Sequence, residues 1–391
     1  MSPGVEGVVD PEPRNPEFSM LEPRFRDAPR IDVVPLACTM GGRYAFAARI
    51  VGAGAGPCET GEERMDQSTR EQTDTAHSGE LTYLAESVES SLHGNGGLFL
   101  RRDNDGNDSP WEGVDLEKRL MPVHDARIHA HTLDSNGFEL VKCPVETPDF
   151  DWLDHDLIVR RYYPHCAAIV REGTGARLVR AFDHNIRSVS GNRSRRRLDG
   201  GQQVQQPIHI VHGDYTLDSG PRRLRDLAKA PTANDTYRTT LTEGRSLLDG
   251  SDVAHALGEG RFAIINLWRN IAPEPVAREP LALCDATTVD PDDLAVFEIY
   301  YSDRVGENYW AKHADSHRWY FYPALTRDEA LLIKQWDSDG GLARSKGAKA
   351  DAECPGNPCT FSFHSAFEDP ATASDAPDRW SIEVRCVALY D

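Results

Sequence analysis

From about Leu81 onward the chain is a succession of short apolar-rich runs, each bounded by turn-forming residues. Phe138 to Cys143 follows Ser135-Asn136-Gly137, and Leu157 to Tyr163 stops before Pro164. The series continues with Leu178 to Phe182, Ile208 to His212, Arg261 to Trp268, Val296 to Tyr301, Arg318 to Tyr322, Cys359 to Phe367 and Ser381 to Tyr390. Runs of this length and composition predict strands, and many short strands predict a sandwich or barrel rather than a doubly wound sheet. Helical signals are fewer. Arg222 to Ala230, after Ser219-Gly220-Pro221, reads as a helix, and Thr326 with Asp328 and Glu329 in the first turn reads as the cap of another. No repeat of solenoid length is present.

Upstream the pattern is different. Residues 1–30 are rich in Pro, Glu and Arg with no apolar period, and residues 54–80 have almost nothing to bury, so both predict loop or poorly packed extension. Ile31 to Val51 carries enough apolar residues for one or two short strands or a docked helix. The expected division is an N-terminal extension, partly irregular, over 1–80 and a single folded domain over 81–391.

Composition narrows the function. The 391 residues include 63 acidic against 43 basic ones, a net charge of −20. A surface this negative repels phosphate backbones and anionic lipid, which argues against nucleic acid and membrane partners and leaves a small molecule as the expected one. Apolar runs such as Phe262 to Leu267 fall far short of the ~20 residues a bilayer span needs. The N-terminal stretch lacks the basic start and apolar segment of a secretory signal, and eight cysteines are too sparse for a disulfide scaffold. A reducing, cytoplasmic setting is expected. Oligomeric state leaves no trace in the sequence.

The strongest chemical signal is Ile208-His209-Ile210-Val211-His212-Gly213-Asp214-Tyr215. Side chains alternate along a strand, so His212 and Asp214 leave on one side and can supply two ligands of a facial triad. By itself a His-x-Asp pair arises often by chance. The best third ligand is His364: with Thr360 and Ser362 it shares one face of its run, while Phe361, Phe363, Ser365 and Phe367 take the other and seek a core. Further on, Arg379, Ser381, Glu383 and Arg385 share a face backed by Trp380, Ile382, Val384 and Cys386. An arginine and a serine two apart on a strand can hold one carboxylate, through a bidentate fork and a hydroxyl.

His-x-Asp, a distant His and then Arg-x-Ser is the order found in iron(II)/2-oxoglutarate-dependent oxygenases, and longer stretches narrow the likeness. They are YYPHCAAIVREGTGARLVRAFDHNIR (162–187), VHGDYTLDSGPRRLRDL (211–227), FAIINLWRNI (262–271), PLALCDATTV (280–289), HRWYFYPALTRDEALLIKQWDS (317–338), and FHSAFEDP followed by SIEVR. Together they resemble the hydroxylase/desaturase group that includes the cephamycin methoxylation P8-chain relatives and the aspergillic-acid and gibberellin desaturases. The resemblance runs from about residue 81 to 391 and is specific over 160–390. It implies a mainly β, double-stranded β-helix (jelly-roll, cupin-like) core with flanking helices, using Fe(II), 2-oxoglutarate and O2 to hydroxylate or desaturate a small secondary metabolite. It further implies that His212, Asp214 and His364 hold the iron and that Arg379 with Ser381 anchors the distal carboxylate of 2-oxoglutarate. The spacing from His364 to Arg379 exceeds the ten or so residues common in the wider superfamily, which leaves Arg385 as a rival anchor. Arg385 lies six residues on, ~20 Å at ~3.3 Å per residue, so the two cannot serve one carboxylate. Related halogenases replace the triad carboxylate with a small residue, so Asp214 implies oxygenation or desaturation.

Tyr215, Asn266, Trp268, Arg269, Tyr320, Tyr322 and Lys334 match family positions that could line the substrate pocket; for the aromatics, core packing is the competing reading. Two other classes of function remain open: an iron oxidase using O2 without 2-oxoglutarate, and a catalytically silent jelly-roll binding module. Other motifs are decoys. Val51 to Gly56 imitates a nucleotide-binding glycine turn but lacks the packed helix that must follow. Asp103 to Asp108 imitates a calcium loop without its sixth-position glycine and twelfth-position glutamate. Cys354 and Cys359 with His364 make a poor zinc set, RSRRR (193–197) reads as an exposed loop, and Asp183-His184 reads as a hydrogen-bonded strand end.

Overall fold

The computed structural model describes residues 77–391 except Asn95, residues 104–107, Glu146 and Pro148. The expectations for Ile31 to Val51 and for the glycine turn at Val51 to Gly56 fall outside the described residues, as do four of the six residues of the Asp103 to Asp108 turn.

Fourteen strands follow in chain order: β1 (His77–Leu84), β2 (Leu98–Arg101), β3 (Leu116–Asp125), β4 (Phe138–Lys142), β5 (Leu178–Arg187), β6 (His212–Gly213), β7 (Phe262–Asn270), β8 (Leu281–Cys284), β9 (Leu294–Tyr300), β10 (Val305–Ala311), β11 (Trp319–Phe321), β12 (Glu329–Asp337), β13 (His364–Ala366) and β14 (Ser381–Leu389). They form a nine-stranded sheet ordered β1-β3-β11-β8-β13-β6-β10-β9-β2 and a five-stranded sheet ordered β4-β12-β7-β14-β5. β1 spans the position-80 boundary expected from sequence. It also bridges Glu368, Ile210 and Lys312 through Glu80, Thr82 and Leu84, so the large sheet curls until its edge strand meets its middle. The curl encloses a core of Tyr83, Val123, Cys284, Tyr309, Trp319, Phe361, Phe363 and Phe367.

The five-stranded sheet is covered on both faces, which is why β7 and β12 read as near-continuous apolar runs rather than alternating ones. Its outer face packs Ile265, Leu267, Ile382, Val384 and Cys386 against Tyr163, Cys166 and Val170 of the helix Tyr163–Thr174. Its inner face turns toward the large sheet. Part of the space between the sheets is apolar, filled by Phe138, Trp268, Leu283, Tyr322, Leu331 and Ile333. The Ser135-Asn136-Gly137 turn entering β4 needs its glycine: Gly137 has φ +87°, and a Cβ there would lie 2.8 Å from the Ser362 side chain.

Four expectations fail locally, one of them being the run Cys359 to Phe367, which is strand only over His364–Ala366. Leu157 to Tyr163 is helical, not a strand: Asp154 accepts from the Leu157 amide at 2.9 Å, and the helix runs on to a left-handed cap at Gly175. Pro164 sits where the π-helical turn Ile158–Tyr162 gives way to the α-helix Tyr163–Thr174. Thr326 caps no helix. Glu329 accepts from its amide and hydroxyl at 2.9 and 3.1 Å, but the chain leaves directly into β12. Of Ile208 to His212 only His212 enters a strand, the two-residue β6, and Ile210 makes one isolated bridge to Thr82.

Candidate active site

β6 and β13 are neighbours in the large sheet with His364 opposite His212 in antiparallel register. Their ring centroids lie 4.3 Å apart, tilted by 49°. One donor atom each from His212, Asp214 and His364 lies within 4.8 Å of the others, and among the described residues no other group of three or more His, Cys, Asp or Glu is so arranged. The three residues are 7%, 8% and 4% exposed. Burial pushes the His212 imidazole down to about 4, helped by the neighbouring His364, and lowers that of His364 as well. Both rings are therefore neutral near pH 7, the form that binds metals. His212 donates from Nδ1 to the Ile210 carbonyl at 2.7 Å, which fixes the tautomer and leaves Nε2 bare, 3.9 Å from Oδ1 of Asp214.

Asp214 is held from three directions. Its Oδ2 accepts from Asn266 Nδ2 at 2.9 Å and from Arg385 Nε at 3.0 Å, and its backbone N–H donates to Gln335 Oε1 at 3.0 Å. Nε2 of Gln335 lies 3.5 Å from Nδ1 of His364, so one side chain spans two of the three candidate ligands. Burial opposes ionisation of Asp214, but Arg385 outweighs it, joined at low pH by the protonated histidines, and keeps the carboxyl well below the usual carboxylate range.

The facing wall comes from β14 and its neighbours. Register places Ser381 beside Arg187 and Asn270, Glu383 beside Asn185 and Trp268, and Arg385 beside Asp183 and Asn266. Arg379, 2% exposed, lies 5.6 Å from the Trp268 ring centroid and donates from Nη1 to the Glu279 carbonyl. Among the described residues its Nε has no partner, and neither does Oγ of Ser381, itself 1% exposed. Burial lowers the guanidinium to about 10. Two buried donors without acceptors, two residues apart, suit an incoming carboxylate. Glu279, which supplies the carbonyl, is a non-glycine residue at φ +47°.

Arg385 is differently engaged: beyond Asp214, its Nη1 meets Asp183 Oδ2 at 3.0 Å and its Nη2 meets Glu383 Oε1 at 3.1 Å. Of the pocket residues expected from sequence, Asn266 and Trp268 lie on the inner face, and Tyr320 stands in line with Leu283 and His364 across the large sheet. Tyr322 is buried in the apolar cluster beside them. Tyr215, half-buried next to Asp214 in the chain, has its phenol raised to about 12 by burial. Two are placed elsewhere. Arg269 alternates with Trp268 onto the outer face, where it touches the Cys143 thiol, donates to the Arg327 carbonyl at 3.2 Å and lies 5.8 Å from the Tyr162 ring centroid. Lys334 precedes a bulge in β12 and is tied to Asp134 at 3.1 Å and Asp337 at 2.9 Å. Asp183 and His184, the decoy pair, point to opposite sides, toward Arg385 and Tyr163 respectively. Cys354 and Cys359 carry free thiols, and Cys359 donates to the Leu133 carbonyl at 3.3 Å. Gln335 and Glu279 were missed. Read as a strand, β12 would have put Gln335 in step with Leu331 and Ile333.

Two β-sheets with a pair of neutral imidazoles and a carboxylate between them define a jelly-roll oxidoreductase scaffold. The chain belongs to the family described as "Oxidoreductase/YMDC permease-like domain", which matches residues 81–389. It is 45% identical over 193 residues to the "Uncharacterized protein in dcmA 3'region" of Methylophilus leisingeri, covering 49% of this chain and 89% of that one. It is 29% identical over 276 residues to the hydroxylase/desaturase efuI of Hormonema carpetanum, covering 66% of this chain and 79% of the relative. The Fe(II)/2-oxoglutarate-dependent dioxygenase nvfI of Aspergillus novofumigatus is 28% identical over 273 residues, covering 68% and 81%. The solved structure of the iron and alpha-ketoglutarate-dependent endoperoxidase NvfI superposes with a TM-score of 0.59 at 22% identity, over 80% of this chain and 97% of that one. The expected jelly-roll fold is the fold found. Among the described residues no helix is long and apolar enough to cross a membrane.

Proposed function

We propose that this protein is an iron(II)/2-oxoglutarate-dependent oxygenase that hydroxylates or desaturates a small metabolite, releasing succinate and CO2. The observation that carries this reading is the pair of buried, partnerless donors, Nε of Arg379 and Oγ of Ser381, on the wall facing the His212–Asp214–His364 group. The donor set fits ferrous iron: two neutral imidazoles and one carboxylate leave three coordination positions open. The two donors fit the distal carboxylate of the keto acid. Relatives named hydroxylase/desaturase and dioxygenase support the same reading.

In this reading His212, Asp214 and His364 would hold the iron, and Arg379 with Ser381 would hold the distal carboxylate of 2-oxoglutarate. When bound, iron and keto acid together supply the oxidising power, taken from O2, that removes hydrogen from an unactivated carbon. The protein's own part is placement and exclusion of water. Every candidate ligand is under 10% exposed, and the apolar cluster around Phe138, Leu283 and Tyr322 forms the dry side of the site. Hydroxylase, desaturase and endoperoxidase all occur among the names of the relatives, so the outcome depends on how a substrate seats against that side. We place the protein in the cytoplasm, with a small-molecule substrate.

Anaerobic titration with Fe(II) and then 2-oxoglutarate tests the reading. A weak visible charge-transfer band that appears only with both is the expected result. Iron binding without the band would instead mark an oxidase that works without the keto acid. No iron binding at all would mark a silent binding module.

A further inference from the structure

Arg385 has three nitrogens and gives each to a different carboxylate. Nε goes to Oδ2 of Asp214 at 3.0 Å, Nη1 to Asp183 at 3.0 Å and Nη2 to Glu383 at 3.1 Å. Nε and Nη1 are hydrogen-bonded and Nη2 is ion-paired, so all three nitrogens already face carboxylates, whereas Nε of Arg379 faces none. We propose that Arg385 is a positioning residue that, with Asn266, makes Asp214 a one-oxygen metal ligand and so keeps the remaining coordination positions open for substrate-side ligands. This inference rests on the iron-site reading above and concerns this chain's own residues.

Oδ2 of Asp214 receives Asn266 Nδ2 at 2.9 Å in addition to Arg385, so its two acceptor directions are filled. Oδ1 has neither donor and is the oxygen that faces His212 Nε2, at 3.9 Å. A carboxylate with a vacant second oxygen can swing and bind a metal through both, which would consume a position that the keto acid or O2 requires. Asp183 and Glu383 complete the device by engaging the other two arms of Arg385, which orients Nε toward Asp214. Partners behind metal ligands commonly set ligand orientation and carry roughly 10–100-fold in metal affinity.

Co(II), added alone to the full-length metal-free protein, is the probe, because its visible d–d band reports coordination number before any keto acid is present. Arg385→Gln is expected to bind Co(II) roughly 10–100-fold more weakly and to show a band of changed intensity. Arg385→Lys, whose single ammonium cannot span three carboxylates, should restore only part of either. If Arg385→Gln matches the wild type in Co(II) affinity and band while 2-oxoglutarate affinity falls, Arg385 is the keto-acid anchor and the proposal is overturned. If nothing changes, it is overturned as well. Should Arg385→Gln fail to fold, Asn266→Ala removes the other donor to Oδ2: a changed band supports the proposal and an unchanged one refutes it. His212→Ala separates the two levels of argument, since unaltered Co(II) binding there would defeat the metal site itself rather than the role of Arg385.

Discussion

The imidazoles of His212 and His364 are cross-strand partners, their centroids 4.3 Å apart and both buried. In an antiparallel ladder this juxtaposition is set by backbone register, which makes the pair rigid in a way that loop-borne ligands are not. Replacing either ring by alanine is therefore expected to cost at least about 100-fold in Fe(II) affinity, with succinate formation lost in parallel. Isothermal titration under anaerobic conditions measures the first, and retention of wild-type affinity in either variant would sink the assignment.

Ser381 and Arg379 make a prediction of opposite sign for stability and binding. Among the described residues the Ser381 hydroxyl is buried without a partner, so in the ligand-free protein it contributes desolvation cost. Ser381→Ala should leave the melting temperature unchanged or higher, while weakening 2-oxoglutarate binding by up to about tenfold. Arg379→Gln removes a charged donor and should weaken it by about 1.5–3 kcal/mol, roughly 10–150-fold. A Ser381→Ala variant that melts markedly lower, with unaltered keto-acid affinity, would show the hydroxyl to be structural.

Much of this site was legible in the sequence because strand alternation is a local rule. His212 with Asp214, His364 on the face away from Phe361 and Phe363, and Arg379 with Ser381 all follow from period two. What alternation cannot give is the covering of the second face. β12 is buried on both sides, so Leu331 to Trp336 lacks an alternating pattern, and the capping signal at Thr326 suggested a helix in its place. With β12 misread, Gln335 could not be aligned with the ligands it spans, and Lys334 could not be placed in its ion cluster. Arg269 was expected at the pocket for a related reason. β7 carries polar residues on both faces, Asn266 inward and Arg269 outward, so the Asn-Leu-Trp-Arg motif does not say which face holds the site. Leu157 to Tyr163 was read as a strand, but a short apolar run does not separate a buried strand from a helix, and the Asp154 cap decides for the helix.

The ion cluster at the end of β12 gives a test of packing rather than chemistry. Asp337 has a fully buried carboxylate shared by Lys334 at 2.9 Å and Arg261, and Lys334 itself is nearly buried. Lys334→Met should cost about 1.5–3 kcal/mol, because Arg261 still satisfies Asp337. Asp337→Leu should cost more, about 3–5 kcal/mol, since Lys334 is then left inside the protein with only the exposed Asp134. Urea unfolding of the two variants measures the order, and equal losses would contradict the asymmetric burial.

The pH dependence of stability turns on His184, fully buried on the outer face of β5 opposite Val384. Thr236 Oγ1 donates to the Phe182 carbonyl at 3.1 Å, so it must accept from the Tyr163 hydroxyl, which in turn accepts from Nδ1 of His184 at 2.8 Å. Burial, reinforced by His155 and Arg385, pushes this imidazole down to about 3. The unfolded chain, titrating near 6.5, binds a proton that the folded one refuses. The contribution of His184 is thus complete above about pH 6.5 and is lost as pH falls toward 3, at up to ~1.4 kcal/mol per pH unit. His212 and His364 shift in the same direction and steepen the loss in metal-free protein. His184→Asn keeps a donor for Tyr163 but cannot take up a proton. Its unfolding free energy between pH 6 and 4 should therefore fall less steeply than that of the wild type, by up to the slope of one proton. Parallel pH profiles for the two proteins would mean that His184 is protonated in the native state, which its buried position and its hydrogen bond to Tyr163 both oppose.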